Sequence, residues 1–285
     1  MKGLFRFRSY LLIAVAFAGV GFLASGASAG IIAEQVRYTE GSAKRDVSKL
    51  YISKNRLKFN EEGDNTIMIF DLNTGEMIQI DVQGKKYVRA KPKEYFDLVR
   101  EMREEMKKKM EAQMANLPPE YKAKMEQMMK AQGFDMGEGD SKPRSVKVNK
   151  TSQRATIADY SARKFEIYID GKLDEEVWMT NDATFTNEFD TKKMAKFMSE
   201  FRKAGKEMGQ GGYFEEQEKL FKEVYSIGFP LKTIEHAESG PSHVEEITKV
   251  TTTDIPEKEF LPPDGYRRVT VREMMMAGRG GRGAR

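Results

Sequence analysis

The sequence predicts an α+β fold, an antiparallel sheet of about eight short strands with helices set between hairpins. Three observations carry this. Ile31 to Arg89 alternates apolar and polar residues between tight turns, and the same grammar returns after Ser145. Two blocks, one beginning at Lys93 and one near Asp190, instead space their apolar residues by three and four, the period of a helix face.

Taken in order, Lys49 to Phe59 and Thr66 to Leu72 mix Ile, Leu, Tyr and Phe with polar residues and read as strands. Asn73-Thr74-Gly75 supplies a turn, because Asn and Gly reach positive φ cheaply. Glu76 to Val82 and Lys85 to Arg89 continue the meander, and Pro92 ends it. In the first helical block Tyr95, Val99, Met102, Met106, Met110 and Met114 share one face. Leu117-Pro118-Pro119 breaks that helix, and a shorter one is expected from Glu120 to Gln132. Lys164 to Ile169 and Glu175 to Thr180 form a hairpin across Asp170-Gly171. Met194, Phe197, Met198 and Phe201 make the apolar face of the second block, which resumes from Tyr213 to Tyr225. Leu231 to Ala237 and His243 to Thr251 are a last antiparallel pair.

The first residues address the chain. Lys2, Arg6 and Arg8 precede an apolar run, Leu11 to Leu23, and Ala27-Ser28-Ala29 closes the segment, the layout of a secretory signal peptide cut after Ala29. An uncleaved anchor is the alternative, but the run is short for a span, which needs about 20 apolar residues. The expected location is the periplasm. The chain holds 18 Met and no Cys, so neither a disulfide nor a lipid-bearing cysteine is available. Without the three leader cations the charge balance is 45 basic against 44 acidic residues, which does not suit binding of nucleic acid.

Catalytic patterns are missing: no G-x-S-x-G, H-E-x-x-H, phosphate loop or dinucleotide fingerprint occurs. The expectation is therefore not an enzyme, with no cofactor. Asp71 to Gly75 resembles the start of a Ca²⁺ loop, but it lacks the later ligands. His236 and His243, the only two histidines, would meet across a hairpin beside Glu235, Glu238 and Glu245. Histidines on a solvated strand pair are more often plain surface residues, and no metal site is assigned. Seven methionines lie between Met102 and Met129. Core packing, an adaptable surface for acyl chains or varied partners, and thioether binding of Cu(I) all suit them. The Gly/Arg end, 272–285, reads as a flexible basic tail.

Tyr51-Ile52, Arg56-Leu57-Lys58, Ile69-Phe70-Asp71 and Lys86-Tyr87-Val88 resemble the opening of a bacterial envelope family of unknown function in the LolA/LolB-like lipoprotein-carrier superfamily. Ala162-Arg163-Lys164-Phe165, Glu176-Val177-Trp178 and Gly228-Phe229-Pro230-Leu231-Lys232 resemble its middle, and Phe260 to Tyr266 its end. The resemblance implies a half-barrel over 30–271: a curved antiparallel sheet wrapped around helices, enclosing an apolar cavity; the Met-rich helical insertion at 93–142 and the basic tail depart from the family's pattern. It implies non-catalytic binding of a lipid, a lipoprotein acyl chain or another apolar ligand.

Strand alternation proposes Phe70, Leu72, Ile78, Ile80, Phe165, Ile167, Ile169, Val177 and Met179 as the cavity lining, and a one-residue slip would invert that face. Met102, Met106 and Met110 form a lid or partner surface. The alternatives are an envelope-protein interaction or sensing module and a copper-handling protein; transient contact with the membrane surface fits either the lipid or the interaction reading. The inner volume discriminates: open space favours a lipid, whereas a face plugged by Trp178 or the helices favours the interaction module.

Overall fold

The computed structural model describes residues 30–61, 65–115, 144–188, 190–207, 211–237 and 239–280. The leader, the expected helix at 120–132 and the last five residues lie outside the described residues.

Six strands form the first meander: β1 (Ile31–Thr39), β2 (Asp46–Ser53), β3 (Arg56–Glu61), β4 (Thr66–Asp71), β5 (Glu76–Asp81) and β6 (Lys86–Ala90). Helix α1 (Pro92–Ala115) follows, with Pro92 at its first position, where the missing N–H costs nothing. The second meander holds β7 (Val146–Ile157), β8 (Tyr160–Ile169), β9 (Lys172–Thr180), β10 (Phe229–Glu235) and β11 (His243–Thr252). Between β9 and β10 lie α2 (Ala183–Thr186), α3 (Thr191–Glu207) and α4 (Gly211–Leu220), the last continued by a π-helical turn at Phe221–Tyr225. A two-residue β12 (Arg267–Arg268) and α5 (Val271–Gly280) end the described chain.

All twelve strands belong to one open sheet, in the order β12, β6, β5, β4, β3, β2, β1, β11, β10, β9, β8, β7. The half-barrel α+β class is as expected, with twelve strands in place of about eight. β1, β7 and β12 are additional, and the segment Lys49 to Phe59, expected as one strand, is divided by the Lys54-Asn55 turn into β2 and β3. β7 is largely exposed, so its pattern lacks the apolar alternation that marks a strand from sequence. Pairing of β1 with β11, from Ile31 opposite Thr252 to Thr39 opposite His243, joins the two meanders. Every pair is antiparallel except β12 with β6.

The turns follow from backbone chemistry. Lys54-Asn55, Ala158-Asp159 and Asp170-Gly171 each hold two successive residues at positive φ, the two-residue hairpin geometry that matches strand twist. Gly228 is needed for another reason: a Cβ there would stand 1.9 Å from the Thr180 carbonyl oxygen, which is backbone and cannot yield.

The sheet has two apolar faces. On the inner face Met194, Phe197, Met198, Phe201 and Ala204 of α3 are buried at helical spacing. The Phe197 ring meets Phe70 edge-on at 5.9 Å, and Phe201 meets Phe96 of α1 at 5.7 Å. Phe185 stacks on Phe229 at 4.6 Å. Each such ring contributes about 1.5–3 kcal/mol by burial. On the outer face Ile69, Ile78 and Ile80 are covered by Ile255 and Phe260 of the C-terminal arm. Tyr266 donates its hydroxyl to the Val82 carbonyl, and the Arg267 and Val269 N–H groups bond to Lys85 and Tyr87 along β6.

The segment expected as a flexible tail is helical through Gly280. Thr270 and Glu273 form a reciprocal cap: the Glu273 carboxylate accepts from the Thr270 N–H at 2.8 Å, and Thr270 Oγ1 accepts from the Glu273 N–H at 3.2 Å. Met274 is then buried against Val88 and Val269. The T-x-x-E spacing of Thr270 and Glu273 is the local signal for this helix start.

Candidate interaction site

Seven of the nine residues expected to line a cavity lie together in the inner core: Phe70, Leu72, Phe165, Ile167, Ile169, Val177 and Met179. Ile78 and Ile80 do not; they belong to the outer cluster. The cause is register. Phe70 pairs with Met77 and Ile69 with Ile78, so the turn through Gly75 moves the inward parity of β5 to Met77.

The inner face is packed solid at these positions. Phe70, Ile167 and Val177 are 0% exposed and Phe165 is 1% exposed, so no water-sized gap opens against them. Side chains facing an acyl-sized cavity would keep accessible surface. The helices take that space, with Phe185, Phe197, Phe201 and Tyr225 all at 2% or less. Trp178, opposite Lys164 and Lys232 on neighbouring strands, is only half-buried.

Buried polar groups tie the helical layer to the sheet. Glu175 on β9 accepts from the Tyr225 hydroxyl at 3.0 Å. Glu216 on α4, 4% exposed, accepts a fork from Arg144, with Nη2 at 2.7 Å and Nε at 3.1 Å. That hydrogen bond raises the Arg144 pKa further above its ordinary value, against burial, which lowers it. Glu188 accepts from the Lys54 N–H at 3.1 Å, fixing the turn before α3 onto the β2–β3 hairpin.

The histidines do not converge. His236 bonds Glu176 through Nε2 at 3.2 Å and Ser242 through Nδ1 at 3.3 Å, whereas His243 stands opposite Glu235 and contacts Thr39 at 3.0 Å. No group of three His, Cys, Asp or Glu able to hold a metal occurs among the described residues. Glu245 is engaged by Arg37 and Gln35; burial pushes its carboxyl pKa up and the Arg37 charge pulls against it.

An open hollow of about 570 Å³ lies instead on α1, lined by Glu94, Asp97, Leu98, Arg100, Glu101 and Glu104. Met102 of the expected lid is partly buried on the same helix; Met106 and Met110 are in α1, with side chains outside the described residues. Arg272 of α5 reaches this helix, donating to both Glu105 oxygens at 3.2 Å and lying 3.3 Å from Glu101. The hydrogen bond from Arg272 lowers the Glu105 pKa. This contact between α1 and the C-terminus was not anticipated, and no local pattern in the sequence encodes it. No helix among the described residues is long and apolar enough to cross a membrane.

A family model described as a domain of unknown function (DUF4412) matches residues 93–266. The matched span takes in the Met-rich block and leaves out the opening strands that carried part of the resemblance. No curated protein matches the sequence. Among solved structures, PNGF-II is 12% identical with a TM-score of 0.42, over 89% of this chain and 34% of that one. MucB is 11% identical with a TM-score of 0.37, over 92% of this chain and 64% of that one. The Pseudomonas aeruginosa MucA/MucB complex gives 9% and 0.35, over 82% and 56%. This chain thus spans about a third of PNGF-II and less than two thirds of the MucB chains, and likenesses of this size assign no function.

Proposed function

The chain belongs to the DUF4412 family, and for it we propose a non-catalytic interaction module of the bacterial periplasm, with α1 and its surroundings as the surface offered to a protein partner. The proposal includes export by the leader and kinship with the LolA/LolB-like carriers. One observation carries it: the face that would hold an acyl chain is filled by the protein's own helices, with Phe70, Phe165, Ile167 and Val177 sealed from solvent. A filled half-barrel is a rigid scaffold, and rigid scaffolds present binding groups on their exposed elements. The open hollow on α1 is such a place. The non-catalytic reading is supported by the buried acids and the histidines, which are committed to hydrogen bonds that hold elements together.

The test is native mass spectrometry of the protein isolated from its own periplasm, with and without mild cross-linking, followed by organic extraction. The expected result is a lipid-free chain and a cross-linked protein partner whose contacts map to α1. A near-stoichiometric lipid, with no cross-linked protein, would overturn the reading in favour of carriage.

A further inference from the structure

The two edges of the sheet are treated differently. At one end β12 pairs with β6, so the C-terminal arm covers that edge. At the other end β7 is the last strand among the described residues, and it runs for 12 residues. Its side chains carry Lys147, Lys150 and Arg154 and no acid. All three are exposed. Among the described residues, Lys147 and Arg154 make no ion pair, and Lys150 only approaches the Phe165 ring at 5.9 Å.

A second observation points the same way. Arg154 stands directly opposite Arg163 on β8, a like-charge pair that weakens a sheet unless an anion offsets it. Arg163 Nε is buried with no hydrogen-bond partner. On the β9 side of β8 the positive charge is balanced: Lys164 sits 2.6 Å from Glu176 of β9 and 3.4 Å from Glu166 of its own strand. The unbalanced positive charge is therefore concentrated on the outermost strand.

We propose that β7 is a docking edge for an extended acidic segment of a partner protein, which adds a thirteenth strand. The inference rests on the interaction-module reading and names a second contact surface for it. Main-chain hydrogen bonds to the open edge supply affinity, and carboxylates beside Lys147, Lys150, Arg154 and Arg163 supply selectivity. A second copy of this chain is a poor occupant, since pairing β7 with β7 would set cation against cation. Lys219, whose ammonium caps the Val146 carbonyl, limits pairing to the stretch beyond Val146.

The experiment uses the chain from Gly30 and a fluorescent peptide of about eight residues alternating Glu and Val, a length that suits one strand. Fluorescence anisotropy is read for this peptide, its Lys-for-Glu twin, and a version N-methylated at alternate residues, which cannot complete a ladder. The acidic peptide is expected to bind. Its affinity should fall about tenfold or more with the Lys twin, with N-methylation, and with the K147E/K150E/R154E variant, whose circular dichroism should be unchanged at these exposed positions. Equal binding of the N-methylated peptide, or of the triple variant, would overturn the edge assignment. No binding of any peptide would overturn it too. If a cross-linked periplasmic partner were still captured by the triple variant, the module reading would stand while the edge fell.

Discussion

Arg272 on α5 and Glu105 on α1, separated by 167 residues in sequence, face each other with two parallel hydrogen bonds of 3.2 Å. The fork fastens the C-terminal helix together with the nearby Glu101 carboxylate, and Met274 packs against Val88 and Val269. Charge and packing act on opposite sides of one short helix, so they can be separated by mutation.

Arg272→Ala removes the fork and leaves the packing. Amide exchange over 271–276 is expected to accelerate, while the midpoint of global unfolding stays near that of the parent, because exposed ion pairs contribute little. Hydrogen-exchange mass spectrometry checks both. An unchanged exchange rate over this helix would remove Arg272 as a fastening.

Acid should release the same helix. The hydrogen bond from Arg272 lowers the Glu105 pKa, and the backbone N–H of Thr270 lowers that of Glu273. A carboxyl with a folded value below its unfolded one contributes stability that is full above the ordinary glutamate range and lost as pH falls through the folded value. Exchange over 271–276 is therefore expected to quicken, after correction for intrinsic rates, only below that range. The E105Q/E273Q variant should lack this transition.

Thr270→Ala removes the side-chain half of the cap and is expected to cost α5 about 1 kcal/mol. Exchange should again rise over 271–276, and Thr270→Ser should restore it. Failure of the serine variant to restore protection would point to the lost methyl group as the cause.

Gly228→Ala should be among the most damaging single changes, about 3 kcal/mol or more, because the new methyl would meet the backbone of Thr180. Urea unfolding checks the size. A loss under about 1 kcal/mol would mean that the β9–β10 junction can open, and that the close approach is not required.

Phe197→Ala tests the filled interior. Removing a ring that touches Phe70 and Phe201 is expected to cost about 3–5 kcal/mol and to leave an apolar void. The variant should bind a small apolar probe such as benzene or xenon, whereas the parent should not. Uptake of such a probe by the parent would show that the inner face opens readily, contrary to the scaffold reading.

Much of the fold is legible in the chain because its signals are local. The Asp170-Gly171 turn, the α3 face of Met194, Phe197, Met198 and Phe201, and the paired strands after Ser145 all depend on neighbours within a few residues. Strand parity was legible in part for the same reason: alternation placed Phe165, Ile167 and Ile169 on one face, which is the core side. It misplaced Ile78 and Ile80 because parity across the Asn73-Thr74-Gly75 turn depends on how Phe70 and Met77 pair, and a shift of one residue exchanges the faces.

What the sequence by itself determined is the class and the order of most elements. Only the tertiary structure decided that β1 closes onto β11, that the inner face is filled, that Arg144 clamps Glu216, and that α5 returns to α1. Those contacts join residues far apart along the chain. Their free energy depends on buried neighbours and on charges brought within hydrogen-bond reach, which no local window of sequence contains.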